Sequence, residues 1–146
     1  MRYTLITGGS SGIGEQFARQ SAANGENLIL VSNQLSALRS VSEDIIQQYG
    51  VEVKFMEMDL SAADAAECIY VFAKELGEVD TLISNAGVLH FGKFLNTTDS
   101  YLDFITALHF TTPMKLYRLF ARDMVDRKQG GILIVSSMTA WTPYPT

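Results

Sequence analysis

From Thr7 to Gly14 the chain reads Thr-Gly-Gly-Ser-Ser-Gly-Ile-Gly, with glycines at 8, 12 and 14. This spacing suits the holding of phosphate groups. Gly8 permits a tight turn, Gly12 lets the backbone approach a pyrophosphate, and Gly14 lets a helix pack closely on a sheet. The helix that Gly12 opens would add unpaired N–H groups and the positive end of its dipole, with Ser10, Ser11 and Ile13 in the same turn. A nucleotide-triphosphatase loop would need Lys and then Ser or Thr after the last glycine. Glu15-Gln16 stand there instead, and a carboxylate repels phosphate. The alternative is a glycine-rich turn with no ligand, and its place between a strand and a helix weighs against that.

The elements that must position this turn are legible on both sides of it. Tyr3 to Thr7 reads as a strand and Gly12 to Asn24 as a helix with Ile13, Phe17 and Ser21 on one face, stopped at Asn24-Gly25. Asn27 to Ser32 is a second apolar strand, followed by Leu35, Leu38, Val41 and Ile45 at helical spacing up to Tyr49-Gly50. Val51 to Met58 alternates as a third strand. Ser61 to Asp64 has capping-box spacing, and the helix it predicts buries Ala62, Ala65, Ile69, Phe72 and Leu76. Val79 to Ser84 is a fourth strand and 85–98 a loop. Asp99 to Lys128 is a long helix with Leu102, Ile105, Leu108, Thr112, Leu116 and Leu119 on its face, kinked or broken by Pro113. Ile132 to Val135 is a fifth strand. Apolar strands alternating with amphipathic helices predict an α/β fold: a doubly wound parallel sheet with helices on both faces.

The chain has 146 residues and a mass of 16.1 kDa, a length for one domain, residues 1–146. Apolar residues make up 47% and charged residues 18%, which excludes a disordered chain. A net charge of −5 with no basic cluster argues against nucleic acid. The single cysteine, Cys68, excludes an internal disulfide framework, and no apolar run is long enough for a membrane helix. The N-terminus does not read as a signal peptide, so the expectation is a cytoplasmic protein with no membrane partner.

With the glycine turn in place, further landmarks follow in order: Asp59-Leu60 after strand three, Asn85-Ala86-Gly87 after strand four, Ser136-Ser137 after strand five. In this spacing and order the whole chain resembles the short-chain dehydrogenase/reductase family. The resemblance implies a Rossmann-like sheet of order 3-2-1-4-5 and a nicotinamide dinucleotide at the strand ends. It implies that Asp59 accepts from the adenine amino group, that Asn85, Ala86 and Gly87 lie beside the cofactor ribose, and that Ser137 hydrogen-bonds a small carbonyl or alcohol substrate. An acidic residue at the end of strand two would bind a ribose 2′-hydroxyl and select NAD. Ser32-Asn33-Gln34 are neutral there, so NADP is favoured over NAD, with Ser10, Ser11 and Asn33 able to receive a 2′-phosphate.

Two departures from the family pattern stand out. His109 occupies the place of the family's helix Asn, where it could carry a proton or simply pack. The family's Tyr-x-x-x-Lys pair, whose Lys tunes the Tyr as a proton donor, is absent: Tyr144 is the only tyrosine after Ser137, and no Lys follows it. The resemblance therefore implies an NADP(H)-dependent oxidoreductase present as its cofactor-binding portion, truncated before that pair. The alternative is a non-catalytic dinucleotide-binding module or truncated pseudoenzyme. An uncovered fifth strand at a sheet edge further predicts a homo-oligomer and a disordered tail from Trp141 to Thr146.

Overall fold

The computed structural model describes residues 1–89 and 92–142. Five parallel strands, β1 (Arg2–Thr7), β2 (Asn27–Ser32), β3 (Val53–Glu57), β4 (Glu78–Ser84) and β5 (Gly131–Ile134), form one sheet in the order β3-β2-β1-β4-β5. This is the predicted order. The register pairs Thr7 with Val31 and Ser84, Ser32 with Glu57, and Ser84 with Ile134, so all five C-terminal ends lie along one edge.

Alternating side chains send each central strand into two cores. Leu5, Ile29, Val31 and Leu82 face one cluster with Ile69, Leu116 and Phe120, from α3 (Ala65–Leu76) and α5 (Thr112–Asp126). Ile6, Leu28, Leu30 and Ile83 face the other with Ala18, Ala22, Leu38 and Ile45, from α1 (Gly12–Ala23) and α2 (Leu35–Tyr49). β1 and β2 are buried on both faces, which is why they read as unbroken apolar runs rather than as alternating ones. Truncating a fully buried side chain such as Leu30 to Ala would cost about 2–5 kcal/mol.

Three helical details differ from the sequence expectation. The buried stripe of α1 is Gly14, Ala18 and Ala22, while Ile13 is 62% exposed. Gly14 lies against the glycine turn, where there is no room for a side chain, while Ala18 and Ala22 enter the core with Phe17 packed beside them. The third helix begins at Ala65, not Ala62, because both the N–H and hydroxyl of Ser61 donate to Asp59 Oδ1 and Ser61 is spent on that turn. The long helix is divided into α4 (Asp99–Thr106), a π-helical turn over Ala107–Thr111, and α5. Pro113 has no N–H to give the His109 carbonyl, so the i→i−4 ladder cannot continue and a wider turn takes its place. Beyond it the fully buried stripe runs Thr112, Leu116, Phe120 and Met124, with Leu119 partly buried against the same core.

Strand boundaries shift by a residue or two, as for β3, expected over 51–58 and observed over Val53–Glu57. The loop after β4 contains a short 3-10 turn, Phe94–Asn96, and Ser137 opens another, Met138–Ala140. Of the tail expected to be disordered, Trp141 and Thr142 close that last turn, and 143–146 lie outside the described residues, as do His90 and Phe91.

Candidate functional site

The loops leaving the five strand ends surround a cleft of about 840 Å³. Gly8, Ser10, Ser11 and Ile13 enter it from β1; Ser32, Asn33 and Gln34 from β2; Asp59 and Leu60 from beyond β3; Asn85 to Leu89 from β4; and Ile134 to Ser137 from β5. Phe104, Leu108 and His109 close one end. Every non-glycine residue predicted for the site, and Gly8 and Gly87 with them, therefore lines one space.

The glycine turn is built as its spacing requires. Gly8 has φ +71°, and a Cβ there would stand 2.9 Å from Ala86 Cα and from Asn85 Nδ2. A Cβ on Gly14 would overlap the Gly8 carbonyl oxygen. Gly12 is different: at φ +54° a Cβ would meet nothing within 4 Å, so the backbone at the head of α1 borders open space. Ser11, the N-cap residue, makes no side-chain capping bond, which leaves first-turn N–H groups available to an anion. Glu15, in that same turn, is held by Arg19, whose Nε and Nη2 lie 2.9 and 2.8 Å from its Oε1. The carboxylate is thus neutralised within its own helix. These features fit a pyrophosphate.

Thr7 joins the glycine turn to the Asn85 loop. Its buried Oγ1 accepts from the N–H of Asn85 at 3.1 Å and of Ala86 at 3.2 Å, while Asn85 Nδ2 donates to the Thr7 carbonyl at 3.2 Å. Ser32 plays a similar part at the end of β2. Its hydroxyl lies 2.8 Å from that of buried Ser10 and accepts from the Gln34 N–H at 3.3 Å. Ser10 is thereby tied to β2, whereas Ser11 and Asn33 are exposed. Sequence reasoning named Thr7 and Ser32 within their motifs but gave neither the role of tying the loops together. The signal was present: three apolar strands each end in a buried small hydroxyl residue, Thr7, Ser32 and Ser84.

Asp59 is exposed, with Oδ1 accepting from Ser61 N–H at 2.9 Å and Ser61 hydroxyl at 2.7 Å. At the far end, Ser137 is exposed and its Oγ accepts from Thr139 N–H at 3.2 Å and Thr139 Oγ1 at 2.8 Å. In that arrangement the Ser137 O–H proton remains to be donated. His109 Nε2 accepts from the Val88 N–H at 3.1 Å. Among the described residues no group of His, Cys, Asp and Glu could hold a metal ion, and no helix is long and apolar enough to cross a membrane.

A doubly wound, Rossmann-like sheet with a cleft across its strand ends is the class to which this molecule belongs. The family profile described as short chain dehydrogenase matches residues 2–146, and the chain belongs to that family. It is 37% identical over 150 residues to a very-long-chain 3-oxoacyl-CoA reductase of Pyrenophora tritici-repentis, covering 98% of this chain and 43% of that protein. A short-chain dehydrogenase from Sphingobium yanoikuyae in complex with NADPH superposes with a TM-score of 0.92 at 27% identity, over 98% of this chain and 56% of that one. A metagenomic short-chain oxidoreductase in complex with NADP gives 0.93 at 29% identity, over 99% and 66%. The chain spans about half the length of the curated relatives it matches.

Proposed function

We propose that the chain is the cofactor-binding portion, in one domain over 1–146, of a cytoplasmic NADP(H)-dependent oxidoreductase acting on a small carbonyl or alcohol substrate. The observation that carries this reading is the glycine turn: its backbone borders open space at Gly12, at the head of a helix whose first-turn acid is already paired. The dinucleotide, when bound, carries the hydride. Gly8, Gly12, Ile13 and Gly14 then form the pyrophosphate cradle. Asp59 takes the adenine amino group on the carboxylate edge that Ser61 leaves, with Leu60 beneath. Asn85, Ala86 and Gly87 face the ribose, and Ser137 donates to the substrate oxygen.

The preference for NADP over NAD rests on the end of β2. Ser32, Asn33 and Gln34 carry no charge to repel a 2′-phosphate, and Ser11 and Asn33 are exposed toward it. Structural relatives solved with NADPH and NADP support a nicotinamide dinucleotide. Titrating the protein with NADPH and NADH by cofactor fluorescence tests the reading. Tighter NADPH is expected, and its loss in Gly12→Val, where a branched side chain fills the cradle. Equal affinities would remove the NADP preference. Failure of both cofactors to bind would remove the dinucleotide reading.

A further inference from the structure

We propose that His109 is a positioning residue: as a neutral imidazole protonated on Nδ1, it holds the Val88 amide through Nε2 and so fixes the Gly87–Val88 segment at the edge of the cleft. This rests on the reading of the cleft as a dinucleotide site.

The geometry sets the tautomer. The Val88 N–H points at Nε2 from 3.1 Å, and a ring nitrogen accepts only while it keeps its lone pair. Nε2 is therefore unprotonated, and the proton of the neutral ring sits on Nδ1. The segment needs such an anchor because it belongs to no regular element. Thr7 Oγ1 pins its first two amides, those of Asn85 and Ala86, and His109 pins that of Val88 from the opposite wall. Gly87 lies between the two anchors. A Cβ on Gly87 would stand 2.9 Å from His109 Cε1, so the ring packs directly on this glycine. Gly87 is small here for the sake of the histidine as well as of any ligand.

The π-helical turn delivers the ring. His109 lies at its centre, two residues from either end, and Pro113 is the residue that prevents an ordinary α-turn there. Sequence features that look unrelated, Gly87, His109 and Pro113, thus serve one contact. A proton relay through Nε2 would have to break that contact, so the ring's task is to shape the loop.

Heteronuclear NMR of the imidazole nitrogens in the unmodified protein reads the tautomer directly. Protonated Nδ1 and a hydrogen-bonded Nε2 are expected, with the Val88 amide slow to exchange. His109→Ala should speed Val88 exchange and weaken NADPH about tenfold, the equivalent of one lost hydrogen bond. His109→Asn, which retains an acceptor, should restore both. Gly87→Ala should weaken NADPH binding by less in the His109→Ala background than alone, because its clash partner is gone. A ring protonated on Nε2, or Val88 exchange unchanged by His109→Ala, overturns the proposal. If the tautomer and the exchange behave as expected but the unmodified protein binds no NADPH, the anchor stands and the dinucleotide reading falls.

Discussion

The two ends of the cleft are made differently. Around β1 and β4 the ligand loops are locked to each other: Thr7 is 1% exposed, two amides share its hydroxyl, and neither Gly8 nor Gly14 has room for a methyl group. Around β5 almost nothing is locked. Leu133 and Ile134 are 42% and 56% exposed, and Ser137 and Met138 stand on an exposed turn. The first end is shaped before any ligand arrives, which spares a ligand the cost of ordering it. The second has few buried contacts and opens at low cost in free energy. Under the dinucleotide reading, binding strength would belong to the β1–β4 end and adaptability to the β5 end.

The comparison breaks most readily at Gly14. Gly14→Ala pushes a methyl group into the Gly8 carbonyl and toward Asn85, and we expect a loss of about 3 kcal/mol in urea unfolding. A change within error would mean that the turn yields and is not preformed. Thr7→Val comes next. It keeps the shape but removes the acceptor of two amides, at a cost of about 2 kcal/mol, while Thr7→Ser keeps the hydroxyl and should cost less than half as much. Equal losses in the two variants would place the effect in packing, not in the hydrogen bonds.

The β5 end should respond in association rather than stability. This strand pairs only with β4 among the described residues and leaves an apolar edge. We expect the 146-residue chain to self-associate at micromolar concentration, and Leu133→Lys to shift it to monomer with less than about 1 kcal/mol change in unfolding. A monomeric unmodified chain in sedimentation would remove the edge from consideration.

The smallest effect lies behind the sheet, where Asp123 on α5 meets Lys74 Nζ at 2.9 Å and Tyr70 Oη at 3.0 Å, both on α3. Burial alone would raise the Asp123 pKa, but these donors together hold it below the ordinary carboxylate value. The hydrogen bond to Asp123 raises Lys74. The contribution of the carboxylate is therefore complete above its unfolded pKa and is lost as pH falls through the depressed folded value. That of the lysine is lost as pH rises through its raised one. Asp123→Asn should cost about 0.5 kcal/mol near neutrality, with the difference shrinking at both pH extremes. A constant difference down to strong acid would show that the ion pair contributes nothing.

Much of this was legible from one dimension. Strand-length apolar runs and helical spacing identified the elements, and the glycine turn identified the ligand end of the sheet. The faces of individual helices were less legible. Periodicity placed Ile13, Phe17 and Ser21 on the inner side of α1; Phe17 does pack against the core, but the buried positions are Gly14, Ala18 and Ala22, and Ile13 is exposed. The Ser61–Asp64 spacing matched a cap, yet Ser61 had a nearer partner in Asp59. Local patterns compete for the same donors, and which one wins depends on where the preceding strand ends.

Residue order alone determined the parallel sheet and the edge at which a ligand would sit, while the strand order came from the family resemblance. Right-handed crossovers between buried strands leave few other arrangements. Tertiary structure decided which side chains serve that edge. Thr7 and Asn85 are 78 residues apart and meet only because β1 and β4 are neighbours. His109 reaches Val88 from the π-helical turn, 21 residues away in sequence. Spacing in sequence governs contacts within an element. Contacts between elements are set by how the sheet stacks them, and the chemistry of this cleft is made of the second kind.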